Sequence, residues 1–174
     1  MKIGLLSDTH GFLDKKVLEH FQDCDEIWHA GDIGPGVTEK LSAEKKFKAV
    51  YGNIDGREIR KAYPEFIESD LSGCKILITH IAGTPPNYTP PVKSKINTFK
   101  PDLLICGHSH ITRVSKDEQN HLLYINPGAA GQQGFHRIRT IMKFRIDEGK
   151  IKDLVVIELG KRGELNVAEA GEHT

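Results

Sequence analysis

Short apolar runs alternate with polar, helix-like segments over the first third of the chain. Residues 2–7 form an apolar run that predicts a buried strand. Residues 13–22 (LDKKVLEHFQ) set Leu13, Val17, Leu18 and Phe21 at helical spacing and predict an amphipathic helix. Residues 25–30 (DEIWHA) read as a second strand, stopped by Gly31. Residues 35–45 open with Pro35 in a first helical turn and continue as a polar helix. Residues 47–51 (FKAVY) read as a third strand, broken by Gly52. This order implies parallel strands joined by crossover helices.

The pattern then changes. Strands are expected at 65–70, 75–79 and 102–106, and a proline-rich loop at 85–91 leads into a helix at about 92–99. Beyond residue 110 strands dominate, at 111–116, 121–125, 139–146 and 151–159. Asp117-Glu118-Gln119-Asn120 and Asp147-Glu148-Gly149-Lys150 read as hairpin-type turns. The expected fold class is α/β, a four-layer αββα sandwich of two mixed sheets flanked by helices. A single domain is expected over 1–160, with a polar tail at 161–174 and no internal repeat.

Composition narrows the function classes. Lys+Arg and Asp+Glu both number 24, so the formal net charge is zero and there is no strong nucleic-acid signal, since duplex binders present a basic face. Cys24, Cys74 and Cys106 are far apart, odd in number and form no CxxC, so neither a zinc ribbon nor a disulfide framework is suggested. Cys74 and Cys106 are expected to be buried packing residues. Free thiols fit a reducing compartment. The first apolar run is too short for a signal-peptide core, and no stretch approaches the ~20 apolar residues of a membrane helix. A cytoplasmic location is expected.

Candidate chemistry gathers at strand ends. Asp8-Thr9-His10, Gly31-Asp32, Gly52-Asn53, Thr79-His80 and Gly107-His108-Ser109-His110 each put a metal-competent side chain just after an apolar strand. Ligand sites of open α/β sheets lie beyond the carboxyl ends of the strands, so these five segments predict one convergent site. Carboxylate, amide oxygen and imidazole favour manganese, iron, zinc, nickel or cobalt over calcium. Asp8 and His10, two apart, can turn toward one ion, and His108 and His110 repeat that spacing. Gly31, Gly52 and Gly107 each precede a candidate ligand and are expected to supply sharp turns.

The ordered set Asp-x-His, Gly-Asp, Gly-Asn-x-Asp, His and Gly-His-x-His resembles the calcineurin-like metallophosphoesterase superfamily. The short chain, the strand starting near residue 3 and the stretch Gly52-Asn53-Ile54-Asp55 resemble its small bacterial and archaeal phosphodiesterase branch, over about residues 1–159. The resemblance implies a double-sheet sandwich and two divalent cations. Manganese is expected first, with zinc, nickel, iron or cobalt as alternatives. It assigns Asp8, His10, Asp32 and His110 to the first ion, and Asp32, Asn53, His80 and His108 to the second, with Asp32 bridging. It implies hydrolysis of small phosphodiesters by a metal-bridging hydroxide, and leaves a homodimer or homotetramer open.

The sequence departs from the wider family in places. Many members have His directly after the ligand Asn, where this chain has Ile54 with Asp55 beyond it; the small-phosphodiesterase branch shares that departure. The leaving-group acid is therefore unassigned, and aryl phosphodiesters are the expected preference. Asn126-Pro127-Gly128 resembles the family's loop near the active site, with Ala129 in place of the usual Ser, and Arg137 or Arg139 is a candidate for a substrate phosphate. His29 is expected near the site, either supporting a ligand or as a structural residue. Trp28 is expected in the core and His20 on the surface. Tyr88 is a candidate to stack on a base or aryl group. Three alternatives stand beside the phosphodiesterase reading. They are a phosphomonoesterase with the same site, a non-catalytic protein-binding scaffold resembling the retromer subunit, and a nuclease, which the short neutral chain disfavours.

Overall fold

In the computed structural model, which describes residues 1–164, the apolar runs of the first half become three parallel strands. These are β1 (Lys2–Leu6), β2 (Glu26–His29) and β3 (Lys46–Ala49), joined by helices α1 (Lys15–His20) and α2 (Val37–Glu44). Asp14 caps α1, its carboxylate accepting from the Lys16 N–H, so the helix starts two residues later than its apolar spacing predicts. β1 also pairs antiparallel with β11 (Ile138–Asp147), which pairs with β12 (Lys150–Lys161). The first sheet thus runs β12-β11-β1-β2-β3, with β3 at one edge. The β11–β12 turn carries positive φ at both Glu148 and Gly149, as a two-residue hairpin of the right twist demands.

The second sheet runs β4-β5-β8-β10-β9, from β4 (Phe66–Leu71), β5 (Cys74–Thr79), β8 (Leu103–Ile105), β9 (Thr112–Asp117) and β10 (Leu122–Pro127). Its central strands β5, β8 and β10 are parallel, and its edges are antiparallel. Helix α4 (Pro90–Phe99) covers its outer face.

Three apolar clusters define four layers. Ile3, Leu5 and Trp28 of the first sheet meet Ile76, Ile78, Leu103 and Ile125 of the second in a shared core. Val17, Phe21, Val37 and Leu41 pack α1 and α2 against the first sheet. Val92 and Ile96 of α4 pack on Leu77, Leu104 and Tyr124 of the second. Cys24, Cys74 and Cys106 are all buried and free, and burial pushes the Cys106 thiol up to about 12. Among the described residues, no helix is long and apolar enough to cross a membrane.

Two elements depart from the expected pattern. Helix α3 (Arg57–Ala62) has no buried residue, so no apolar periodicity announces it. The proline-rich segment holds a small hairpin, β6 (Gly83–Thr84) and β7 (Asn87–Tyr88), where a loop was expected. The expected polar tail at 161–174 lies outside the described residues beyond Glu164.

Candidate metal centre

All five candidate segments meet where the two sheets present the carboxyl ends of their parallel strands. Asp8 and His10 follow β1, Asp32 follows β2 and Asn53 follows β3; His80 follows β5, and His108 and His110 follow β8. Backbone bonds carry the pairing past the strand ends. The Asp8 N–H donates to Gly31 O (3.0 Å), the His10 N–H to Asp32 O (3.0 Å) and the Gly107 N–H to His80 O (3.0 Å).

The side chains form two adjoining groups, Asp8–His10–His110 and Asp32–His80–His108. In the first, His110 Nε2 lies 3.2 Å from Asp8 Oδ1 and 3.4 Å from His10 Nε2. In the second, His80 Nε2 lies 3.2 Å from Asp32 Oδ2 and 3.1 Å from Asn53 Oδ1. Asp32 Oδ2 is also 3.8 Å from His10 Nε2, so it faces both groups. Separations of this size suit donors around cations with bonds of about 2.0–2.2 Å. Asp8 supplies a sharper sign. Its Oδ2 accepts the His108 N–H (3.1 Å), but its Oδ1 is buried with no hydrogen-bond partner. A buried carboxylate oxygen without a donor is costly unless a cation faces it. The carboxylate, imidazole and amide donors present fit a divalent transition metal.

The surroundings aim the donors. The His80 Nδ1–H, assigned from its 2.8 Å contact to Ala30 O, leaves the Nε2 lone pair facing Asp32. Burial opposes protonation of His80, but Asp32 and Asp8 outweigh it and hold the imidazole above its ordinary pKa. Burial, helped by the neighbouring His80, holds His108 below its ordinary value. Asp32 is pushed up by burial but pulled further down by His80 and the Ile54 N–H.

The backbone is also specialised. Asp8, His10, Asp32, His108 and His110 all have φ between 49° and 68°. Left-handed non-glycine residues each cost on the order of 1–3 kcal/mol and gather at functional sites. The glycines act differently from the turn role expected of all three. Gly31 has φ of 96°, but Gly52 and Gly107 are not left-handed. Their need is space: a Cβ on Gly52 would lie 2.1 Å from Asp32 Oδ1, and one on Gly107 would lie 2.0 Å from Ser7 Oγ.

Further residues hold the loops. Asp55 accepts the N–H groups of Ile33 (2.9 Å), Gly34 (2.9 Å) and Gly52 (2.8 Å), tying the Asp32 loop to the Asn53 loop. Asn126 donates to Gly107 O (2.7 Å) and Ser109 Oγ (3.1 Å) beneath the His108–His110 segment. His29 is fully buried and neutral. Its Nδ1 accepts the Gly31 N–H, and its Nε2 contacts Thr9 Oγ1 at 2.9 Å. Burial is the main cause that lowers its pKa, to about 4. His136, which the strand-end pattern passes over, stands edge-on to His110 with ring centroids 5.2 Å apart. Its glycine-flanked segment after Asn126-Pro127-Gly128 is the signal that would have found it.

Two sequence candidates are corrected. Arg139 is 1% exposed and donates to Asp14 Oδ2 at 2.7 Å, so a buried carboxylate takes its charge and a phosphate does not. Tyr88 donates its hydroxyl to Asp117 Oδ2 (2.6 Å), at the end of β9 remote from His110. It packs against the α4 cluster and is not a free stacking face. Arg137 is exposed, His20 is half-buried, His121 is exposed just before β10, and His173 lies outside the described residues.

Comparison with known proteins agrees with this architecture. No curated protein matches the chain in sequence. Among solved structures, an archaeal phosphodiesterase superposes with a TM-score of 0.72 at 27% identity, covering 91% of this chain and 100% of that one. A predicted phosphoesterase from Streptococcus pneumoniae gives 0.69 at 23%, covering 90% and 88%. Wild-type Vps29 from Entamoeba histolytica, solved in complex with zinc, gives 0.69 at 16%, covering 91% and 99%. The family profile described as "Calcineurin-like phosphoesterase superfamily domain" matches residues 1–149, and the chain belongs to that superfamily.

Proposed function

We propose that this protein is a metal-dependent phosphodiesterase acting on small phosphodiesters. The observation that carries the reading is Asp8 Oδ1, buried without a donor where two His/Asp groups adjoin. Asp8, His10, Asp32 and His110 hold one divalent cation. Asp32, Asn53, His80 and His108 hold the other, and Asp32 serves both. Bound there, the cations supply positive charge for phosphate oxygens and lower the pKa of water. Manganese is the first choice, with zinc, nickel, iron or cobalt as alternatives.

The chain's own residues limit the chemistry. The position after Asn53 is Ile54, 47% exposed, which has no proton to give. A substrate whose leaving group departs without protonation, such as an aryl diester, is the one this site turns over fastest. The likeness to an archaeal phosphodiesterase supports a diester over a monoester. The likeness to Vps29 is one of fold.

The test is hydrolysis of an aryl phosphodiester and its matching monoester by protein stripped of metal and reloaded with manganese, zinc, nickel or cobalt. Metal-dependent turnover of the diester is expected. Preference for the monoester would make the protein a phosphomonoesterase. No turnover with two ions bound would replace catalysis by a scaffold role.

A further inference from the structure

Asn53 stands at the edge of the candidate ligand set. It follows β3, the edge strand of its sheet, so its loop has a neighbouring ligand loop on one side only. Its side chain is exposed and neutral. An amide oxygen attracts a cation less than a carboxylate does, so its contribution depends on being held in place beforehand.

The Arg60 side chain gathers the carbonyls of that loop. The Arg60 Nε–H donates to Asp55 O at 2.6 Å, and Nη2 donates to Gly52 O and Asn53 O, both at 3.0 Å. Three carbonyls of the turn Gly52–Asp55 thus converge on one guanidinium. On the other side of the same turn, Asp55 takes the Gly52 N–H and Asp32 takes the Ile54 N–H. The Arg60 guanidinium lies over the Tyr51 ring, 4.5 Å from its centroid, which orients the fork from behind. With Tyr51, Asn53, Glu65 and His80, Arg60 also lines a cavity of about 200 Å³ beside the second group. Helix α3, which carries Arg60, buries no residue. Ile59 of the same helix packs half-buried against the first sheet's outer cluster, and the Arg60 bonds tie the helix to the turn that carries Asn53.

We infer that Arg60 is a positioning residue for Asn53, one that sets the affinity of the second cation and leaves the first largely untouched. The inference rests on the proposed reading of Asn53 as a ligand of the second ion. Lysine cannot reproduce the function in full, because an ammonium lacks the planar fork that spans three carbonyls.

The test titrates metal-free protein with manganese and counts ions per chain in the wild type, Arg60→Ala, Arg60→Lys and Asn53→Ala. Arg60→Ala is expected to bind the second ion roughly 10–100-fold more weakly, the range found for residues that orient ligands. Arg60→Lys should lie between, and millimolar methylguanidinium should restore part of the loss in Arg60→Ala. Thermal unfolding of the metal-free variants checks the fold. Equal weakening of both ions with a lower melting temperature would mean general structural support and would overturn the inference. Wild-type affinities in Arg60→Ala, with Asn53→Ala impaired, would also overturn it. Wild-type binding in Asn53→Ala would instead overturn the ligand reading on which it rests.

Discussion

Arg139 and Asp14, 125 residues apart, meet at 2.7 Å with both side chains 2% exposed. The pair joins β11 to the N-cap of α1, and the guanidinium also donates to Leu159 O (3.3 Å) and Lys161 O (3.4 Å) at the end of β12. Removing one partner leaves a buried charge uncompensated, at about 3–5 kcal/mol. Arg139→Ala and Asp14→Ala should each destabilise the fold by that amount in denaturant unfolding. The double variant should lose less than the sum of the two.

Asp32 faces both groups, whereas His108 belongs to one. Asp32→Ala should therefore lose both metal ions and all metal-dependent turnover, while His108→Ala should keep about one ion per chain. Elemental analysis after dialysis distinguishes them. Two ions per chain in the His108 variant would contradict the assignment.

Acid should weaken the fold through His29. Burial lowers its pKa from 6.5 to about 4. Between those values the unfolded chain takes up the proton and the folded one does not. Stability is therefore complete above pH 6.5 and falls as pH drops toward 4, by on the order of 3 kcal/mol. His29→Gln should flatten this part of the metal-free stability profile.

Asp117 works at lower pH. Burial raises its pKa, but the Tyr88 hydroxyl, the Asn120 amide and two backbone N–H groups outweigh this and hold the carboxyl below its ordinary value. Its contribution is present above the unfolded pKa and is lost as pH falls through the folded one. Tyr88→Phe should cost about 1.5–3 kcal/mol near neutrality, the value of a hydrogen bond to a charged acceptor. Its loss of stability in acid should be shallower than that of the wild type.

Space at Gly107 is testable with one methyl group. A Cβ there would lie 2.0 Å from Ser7 Oγ and 2.8 Å from Asp8 Oδ2. Gly107→Ala should destabilise by about 1–3 kcal/mol, as overpacking does. It should also weaken metal binding in both groups, since it displaces Asp8 and the His108–His110 loop together.

The main strands and helices, and the polar residues that end each apolar run, were readable along the chain. Those features are local: periods of two and 3.6 residues, and a glycine or polar residue where an apolar run stops. The two-sheet arrangement, the burial of Trp28, Cys74 and Cys106, and the convergence of Asp8, His10, Asp32, Asn53, His80, His108 and His110 were legible on that basis. Helix α3 was not, because only Ile59 of its six residues packs on the core and one apolar position makes no stripe.

Which side chains pair with which depends on the packed fold. Arg139 turns to Asp14, Tyr88 to Asp117, His136 to His110 and Arg60 to the carbonyls around Asn53. Some of these pairs are far apart in sequence, and others depend on how a short loop folds back. The choice between a phosphate and a buried carboxylate for Arg139 follows from which charge lies within reach once β11 packs beside α1. Periodicity along a chain carries no record of that distance.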